Sequence, residues 1–159
     1  MNKKVLLGGI LGIVAMLGTA GYYGLIHNGS GTTPRTYTNT PVTQNDTEVT
    51  LAVDTLSKTA KFFSYDSNGV TIKYFAMKDL QGTVHVAFDA CDVCYQAKKG
   101  YTQVSDVMQC LNCGRQFAVT SIGSENTNGG CWPSFLPMTN NEASVIIKIA
   151  DLEEKAYMF

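Results

Sequence analysis

Apolar residues are spaced in three different ways along this chain. From Val5 to Ile26 the run "VLLGGILGIVAMLGTAGYYGLI" carries no charge, and its 22 residues follow Lys3 and Lys4. At helical rise such a run covers about 30 Å, the hydrocarbon thickness of a bilayer. Lysines on its N-terminal side predict a cytoplasmic N-terminus with everything after Ile26 outside. Residues 1–26 read as an uncleaved membrane anchor or as a signal peptide cut after Ala20. Tyr22, Tyr23, Leu25 and Ile26 prolong the apolar run and favour the anchor. No cysteine follows it, which excludes a bacterial lipoprotein. Residues 27–47, "HNGSGTTPRTYTNTPVTQNDT", contain almost no aliphatic side chain and read as a flexible polar tether. His27 lies in this tether and is expected to be solvated. Asn28-Gly-Ser30 and Asn45-Asp-Thr47 fit the glycosylation pattern, which acts only in a host with the machinery.

From residue 48 to 159 the apolar period is two, and the expected class is mainly β: one small domain of antiparallel strands and hairpins around a cysteine-rich region. Val49, Leu51 and Val53 alternate with polar or small residues. "KFFSYDSNGVTIKYFAM" reads as two strands joined at Asn68-Gly69, a strong hairpin signal. Val70, Ile72 and Tyr74 then share one face. After "LQG", Val84, Val86 and Phe88 point one way, with His85, Ala87 and Asp89 on the side from which Cys91 would emerge. Phe117–Ile122 and Val145–Ala150 supply further expected strands. Short helices are expected near Val53–Lys58 and Asp151–Lys155, and irregular loops around the cysteines.

Charge and composition remove several function classes. With 12 basic and 13 acidic residues, net charge −1, there is no basic stripe for nucleic acid. No phosphate-binding glycine loop, HExxH motif or hydrolytic constellation is present, so the chain does not read as an enzyme of those classes. Lys98-Lys99 reads as a solvated loop, with the alternative of steering an acidic partner.

The chemistry sits in the cysteines. Four of the five fall in "CDVCYQAKKGYTQVSDVMQCLNC": Cys91, Cys94, Cys110 and Cys113, spaced C-x2-C-x15-C-x2-C. That spacing suits a tetrahedral metal site, because two thiolates three residues apart on a tight turn converge on one ion. Cys110-Leu-Asn-Cys113-Gly114 has the small residue after its second cysteine that such a turn wants. Cys91-Asp-Val-Cys94-Tyr95 does not, and is the weaker knuckle. Disulfides suit the compartment, but an odd total leaves one thiol over. Dithiol exchange wants a single C-x-x-C in a βαβ setting, which is not visible. Metal binding is the favoured reading. Cys131, behind Gly129-Gly130 and ahead of Trp132-Pro133, is the odd cysteine. Its loop looks built to aim a side chain, as a ligand or near-ligand, with a free, packed thiol as the alternative.

"AFDACDVCYQAKKGY", "CLNCGRQFAV" and "GGCWP", in that order, resemble the FtrD-like family of membrane iron–sulfur proteins, as do the strands leading into them. The resemblance covers nearly all of 48–159. It implies an extracytoplasmic cysteine-rich domain linked to metal uptake and electron transfer, with Cys91, Cys94, Cys110, Cys113 and Cys131 as its motif. Two departures stand out: Trp132 precedes Pro133 where the family pattern has asparagine, and one anchor replaces a multi-span membrane domain. The chain would thus be an accessory to a membrane permease or redox partner, held on the outer side of the cell membrane by residues 5–26.

Thiolates suit iron, an iron–sulfur cluster, zinc or copper(I), and spacing does not choose among them. Iron would make an electron carrier, and zinc a structural staple, zinc-ribbon-like, in a domain that binds another protein; a disulfide-stapled domain would serve the same end. His85 is a further candidate, for a second soft-metal site with Cys131, although a half-buried strand histidine is the plainer expectation. Met138 is a neighbour in sequence only. Met77 and Met108 read as core fillers.

Overall fold

The computed structural model describes residues 35–39 and 47–159. The apolar run over 5–26 and most of the expected tether lie outside them. Among the described residues no helix is long and apolar enough to cross a membrane. The strands are β1 Tyr37–Asn39, β2 Glu48–Ala52, β3 Lys61–Ser67, β4 Val70–Lys78, β5 Val84–Cys91 and β6 Tyr101–Val104. They continue with β7 Val107–Cys110, β8 Gln116–Ala118, β9 Pro133–Phe135, β10 Thr139–Asn140 and β11 Ser144–Lys148, and a short helix α1 covers Ile149–Glu154.

Three sheets form: a five-stranded one in the order β1-β3-β4-β5-β9, and two three-stranded ones, β10-β11-β2 and β6-β7-β8. All pairings are antiparallel except β1 with β3. The five-stranded sheet buries both faces. On one, Ile72, Tyr74, Val86 and Phe88 pack with Val49, Leu51, Val145 and Ile147 of the β10-β11-β2 sheet and with Leu152 of α1. On the other, Phe75, Met77, Ala87 and Cys91 pack with Tyr101, Met108, Cys110 and Phe117 of the β6-β7-β8 sheet. Burial on two faces explains why "YFAM" in β4 departs from simple alternation: each face needs its own apolar set.

The β3–β4 hairpin turns at Asn68-Gly69 as expected. Ser67 pairs with Val70, and φ is 50° and 81° at the two loop residues, the left-handed pair of a type I′ turn. Elsewhere the elements differ from expectation. Phe117–Ile122 is strand only as far as Ala118. A 3-10 turn over Val119–Ser121, closed by Ile122 N–H on the Val119 carbonyl, then delivers Val119 and Ile122 to one core. The last strand stops at Lys148, and α1 begins at Ile149, two residues before the expected helix. Val53–Lys58 holds only a 3-10 turn, Val53–Thr55, after which Leu56 drops into the core. Val53, Thr55 and Ser57 are weak helix formers, and the core contact at Leu56 takes precedence.

Two features bear on the site. The loops that carry Cys94, Cys113 and Cys131 are irregular, as expected, but β6, β7 and β8 make an ordered sheet between and after the knuckles. The tether is not wholly free, since β1 adds a parallel edge strand to β3, with Tyr37 opposite Phe62. Arg35 explains the docking. Its guanidinium donates to Asp89 Oδ2 and to the Tyr101 carbonyl, both at 2.7 Å, and also to the Lys99 carbonyl. The Tyr37 hydroxyl donates to the same carboxylate. A strand of Thr, Tyr and Asn thus holds by polar contacts together with the edge-on packing of Tyr37 against Phe62.

Candidate metal centre

Each knuckle is a strand end turned back on itself. Cys91 is the last residue of β5, and Cys110 the last of β7. Beyond Cys91 the backbone N–H groups of Val93 and Cys94 point at its sulfur; beyond Cys110 those of Asn112 and Cys113 do the same. The first knuckle continues into a 3-10 turn, Tyr95–Ala97, in which Ala97 N–H reaches the Cys94 carbonyl at 3.0 Å. That turn does the work expected of a glycine. The second closes with Gly114 N–H on the Cys110 carbonyl at 2.9 Å.

The loop before β9 brings the fifth thiol. Gly129 and Gly130 both have positive φ, 69° and 81°. The Trp132 carbonyl then accepts Asp92 N–H at 3.0 Å, and Pro133 pairs with Cys91 across β5 and β9. Asn126 Nδ2 donates to Asp92 Oδ2 at 2.9 Å and to the Gly130 carbonyl at 3.1 Å, tying this loop to the first knuckle. Trp132 packs edge-on to Phe117, with ring centroids 5.2 Å apart. The glycine pair before Cys131 was the sequence signal for this arrangement.

Cys131 Sγ lies 2.8 Å from Cys91 Sγ, 3.0 Å from Cys113 Sγ and 3.9 Å from Cys94 Sγ. The sulfurs of Cys91, Cys94, Cys110 and Cys131 all lie within 4.8 Å of one another. Thus all five cysteines meet: one mutually close quartet takes Cys131 in place of Cys113, whose own sulfur hydrogen-bonds with those of Cys131, Cys110 and Cys94. Cys91 and Cys110 are buried, Cys94 and Cys131 half-buried, and Cys113 exposed.

Crowding sets the thiols against each other. Burial pushes Cys91 up, but the hydrogen bond from Cys131, the Cys94 and Val93 N–H groups and the Tyr101 hydroxyl outweigh it, bringing the thiol to about 7. Cys113 is lowered by the hydrogen bond from Cys131 and by Arg115 N–H. Burial carries Cys110 up to about 11. It raises Cys131 further, helped by that thiol's donation to Cys113 and Cys91. The thiols are therefore shifted in opposite directions, Cys91 and Cys113 down and Cys110 and Cys131 up, and a cation is what would let them ionise together. The Tyr101 hydroxyl is buried with no nitrogen or oxygen partner among the described residues, and it lies against the Cys91 sulfur.

The support beneath the centre was not foreseen. Asp89, two residues before Cys91 on the same face of β5, is buried and receives Arg35, Tyr37 and, at 2.6 Å, Tyr101 N–H. Burial pushes its carboxyl up to about 6 against the pull of Arg35 and of these hydrogen bonds.

His85 faces the same side of β5 as Cys91, but six residues of strand separate them by about 20 Å. Its Nδ1 lies 2.9 Å from the Ile122 carbonyl and its Nε2 3.0 Å from Asp79 Oδ2, so both ring nitrogens are engaged by oxygen. Met138 is exposed, and Met77 and Met108 are fully buried core residues, as expected.

The model of the FtrD-like family, described as membrane iron–sulfur containing proteins, matches residues 55–159 and so includes every cysteine. No curated protein and no solved structure matches the chain.

Proposed function

The chain belongs to the FtrD-like family of membrane iron–sulfur containing proteins, and from that premise we propose a membrane-tethered, extracytoplasmic metal-binding protein. Its cysteines hold iron, as a single ion or in an iron–sulfur cluster, in the service of metal uptake or electron transfer. The convergence of five sulfurs from three separate segments carries this reading. An all-sulfur donor set fits iron and other thiophilic metals and excludes calcium or magnesium. Iron bound there would supply one-electron transfer. The chain's own part is to direct four backbone N–H groups at Cys91 and Cys110 and to shield the inner side with Phe117, Tyr101 and Trp132. Val93, inside the first knuckle, and Cys113, inside the second, are both exposed, so the centre reaches the surface where a permease or redox partner would meet it.

A structural zinc site is the second reading, and the same geometry that would hold a single iron ion accommodates it. Four sulfurs within 4.8 Å of one another suit a single tetrahedral ion, whose sulfur–sulfur edge is about 3.8 Å for metal–sulfur bonds near 2.3 Å. Metal analysis and absorption spectra of protein purified without oxygen test both. Iron with thiolate charge-transfer bands supports the first reading, colourless protein with bound zinc the second, and protein that takes up no metal overturns both. The membrane placement rests on residues 5–26. Protease added outside intact cells is expected to reach residues 48–159, and soluble protein beginning at Gly21 would show the run to be a cleaved signal.

A further inference from the structure

A tetrahedral ion takes four thiolates, yet five sulfurs meet here, so one is in excess. Sequence spacing makes Cys131 the odd one, because the other four form two C-x-x-C pairs. The geometry reverses that assignment. Cys131 belongs to the quartet with Cys91, Cys94 and Cys110, whose sulfurs all lie within 4.8 Å. Cys113 is the exposed thiol of the five. It is not detached, however: its sulfur touches that of Cys131 at 3.0 Å and also hydrogen-bonds with those of Cys110 and Cys94.

We infer that Cys113 is an exchange ligand, the position through which a thiophilic cation enters and leaves the centre. The inference rests on the metal-binding reading above. In the exchange the metal–sulfur bond to Cys131 breaks as one to Cys113 forms. The proton of the Cys113 thiol passes to the released Cys131 sulfur beside it, and no electron changes hands. Contact between incoming and outgoing sulfurs lets the swap proceed without leaving the ion short of a ligand. Its result is an ion held partly by a solvent-facing cysteine, where the thiolates of an acceptor can reach it. Of the remaining ligands Cys91 and Cys110 are buried and Cys94 and Cys131 half-buried, so Cys113 is the most open to attack. The cargo class is Fe(II), Zn(II) or Cu(I), all of which accept thiolate ligands.

Alkylation of the zinc-loaded full chain tests this, because zinc keeps redox chemistry out of the result. With iodoacetamide under anaerobic conditions, peptide mapping is expected to show one modified cysteine, Cys113, reacting about tenfold faster than any other. Complete protection of all five would mean that all five are fixed ligands, and faster modification of Cys131 would make Cys131 the spare thiol; either overturns the inference alone. Equal modification of all five with zinc present would overturn metal binding itself, and the inference with it. Cys113→Ser gives a second readout. It is expected to keep the zinc stoichiometry of the native chain while zinc transfer to a chelator slows about tenfold, the rate loss of a removed associative route. Transfer at the native rate, or loss of the zinc, counts against the exchange role.

Discussion

Gly100 shows how little room the support of the centre leaves. Its φ is +67°, and a Cβ there would lie 2.5 Å from Asp89 Oδ1 and 2.6 Å from Arg35 Nη1. Neither atom can yield cheaply, since Oδ1 takes Tyr101 N–H and Nη1 holds both Oδ2 and the Tyr101 carbonyl. Gly100→Ala is therefore expected to disrupt a buried ion pair and lower unfolding free energy by about 3–5 kcal/mol. Gly82→Ala is the control: φ is +87°, but nothing lies within 4 Å, so only backbone strain of about 1–2 kcal/mol remains. Urea titration of both variants checks this, and equal losses would show that the pair adjusts. Asp79 offers a pH test. The hydrogen bond with His85, then Thr83 N–H and Gln81 N–H, outweighs burial and holds its carboxyl below the ordinary 3.8. A depressed folded value means that the unfolded chain takes up the proton first as pH falls. The contribution of Asp79 is thus complete above 3.8 and disappears as pH drops through the lower folded value. Thermal midpoints in acid should fall more steeply for the native chain than for Asp79→Asn, and parallel curves would remove Asp79 from the account.

At the scale of elements, β1 is short, polar and at an edge, so its standing depends on Arg35. Asp89's side chain is 1% exposed and Arg35's 20%, which makes this a largely buried pair. Removing the cation with Arg35→Ala leaves a buried carboxylate hydrogen-bonded, among the described residues, by Tyr37 and Tyr101 N–H, with Lys73 the nearby cation. The expected cost is about 3–5 kcal/mol. A cost near 0–1 kcal/mol, that of a surface pair, would mean that β1 is a loose strap. The sequence could not announce this strand. Its three residues carry no apolar alternation, and Arg35 and Asp89 stand 54 positions apart. Elements with their own local signal were legible: the Asn68-Gly69 hairpin, the inward face of β5, and the knuckle at Cys110–Gly114. β6 and β7 were not, because each has four residues and their turn is Ser105-Asp106. There Ser105 takes a φ of 55° that would ordinarily mark a glycine or asparagine. Cys131 could be placed near the centre from the family resemblance, with its glycine pair in support. That its sulfur joins those of Cys91, Cys94 and Cys110 depends on how β9 pairs with β5, which no spacing rule contains.

For the whole molecule, the two cores respond to metal differently. The core shared with the β10-β11-β2 sheet is aliphatic and aromatic apart from Met158 and holds no cysteine. The core shared with the β6-β7-β8 sheet contains Cys91 and Cys110, with Cys94 and Cys131 packed against it, so that sheet is joined to the five-stranded one partly through sulfur. Without a metal those sulfurs are crowded thiols that add little cohesion; with one they become bonds between β5, β7 and the loop before β9. Metal should therefore stabilise one side of the molecule first. At free metal about a hundredfold above its dissociation constant, global stability is expected to rise by about 2.7 kcal/mol. The amides of β6, β7 and β8 should gain the most protection from hydrogen exchange, while those of β2 and β11 change little until the molecule unfolds globally. Exchange measured on one preparation before and after anaerobic loading with iron or zinc, and again after chelation, decides the matter. Uniform protection across all three sheets would show the domain to be one cooperative unit. Unchanged protection with metal demonstrably bound would place the ion away from the convergence of Cys91, Cys94, Cys110 and Cys131.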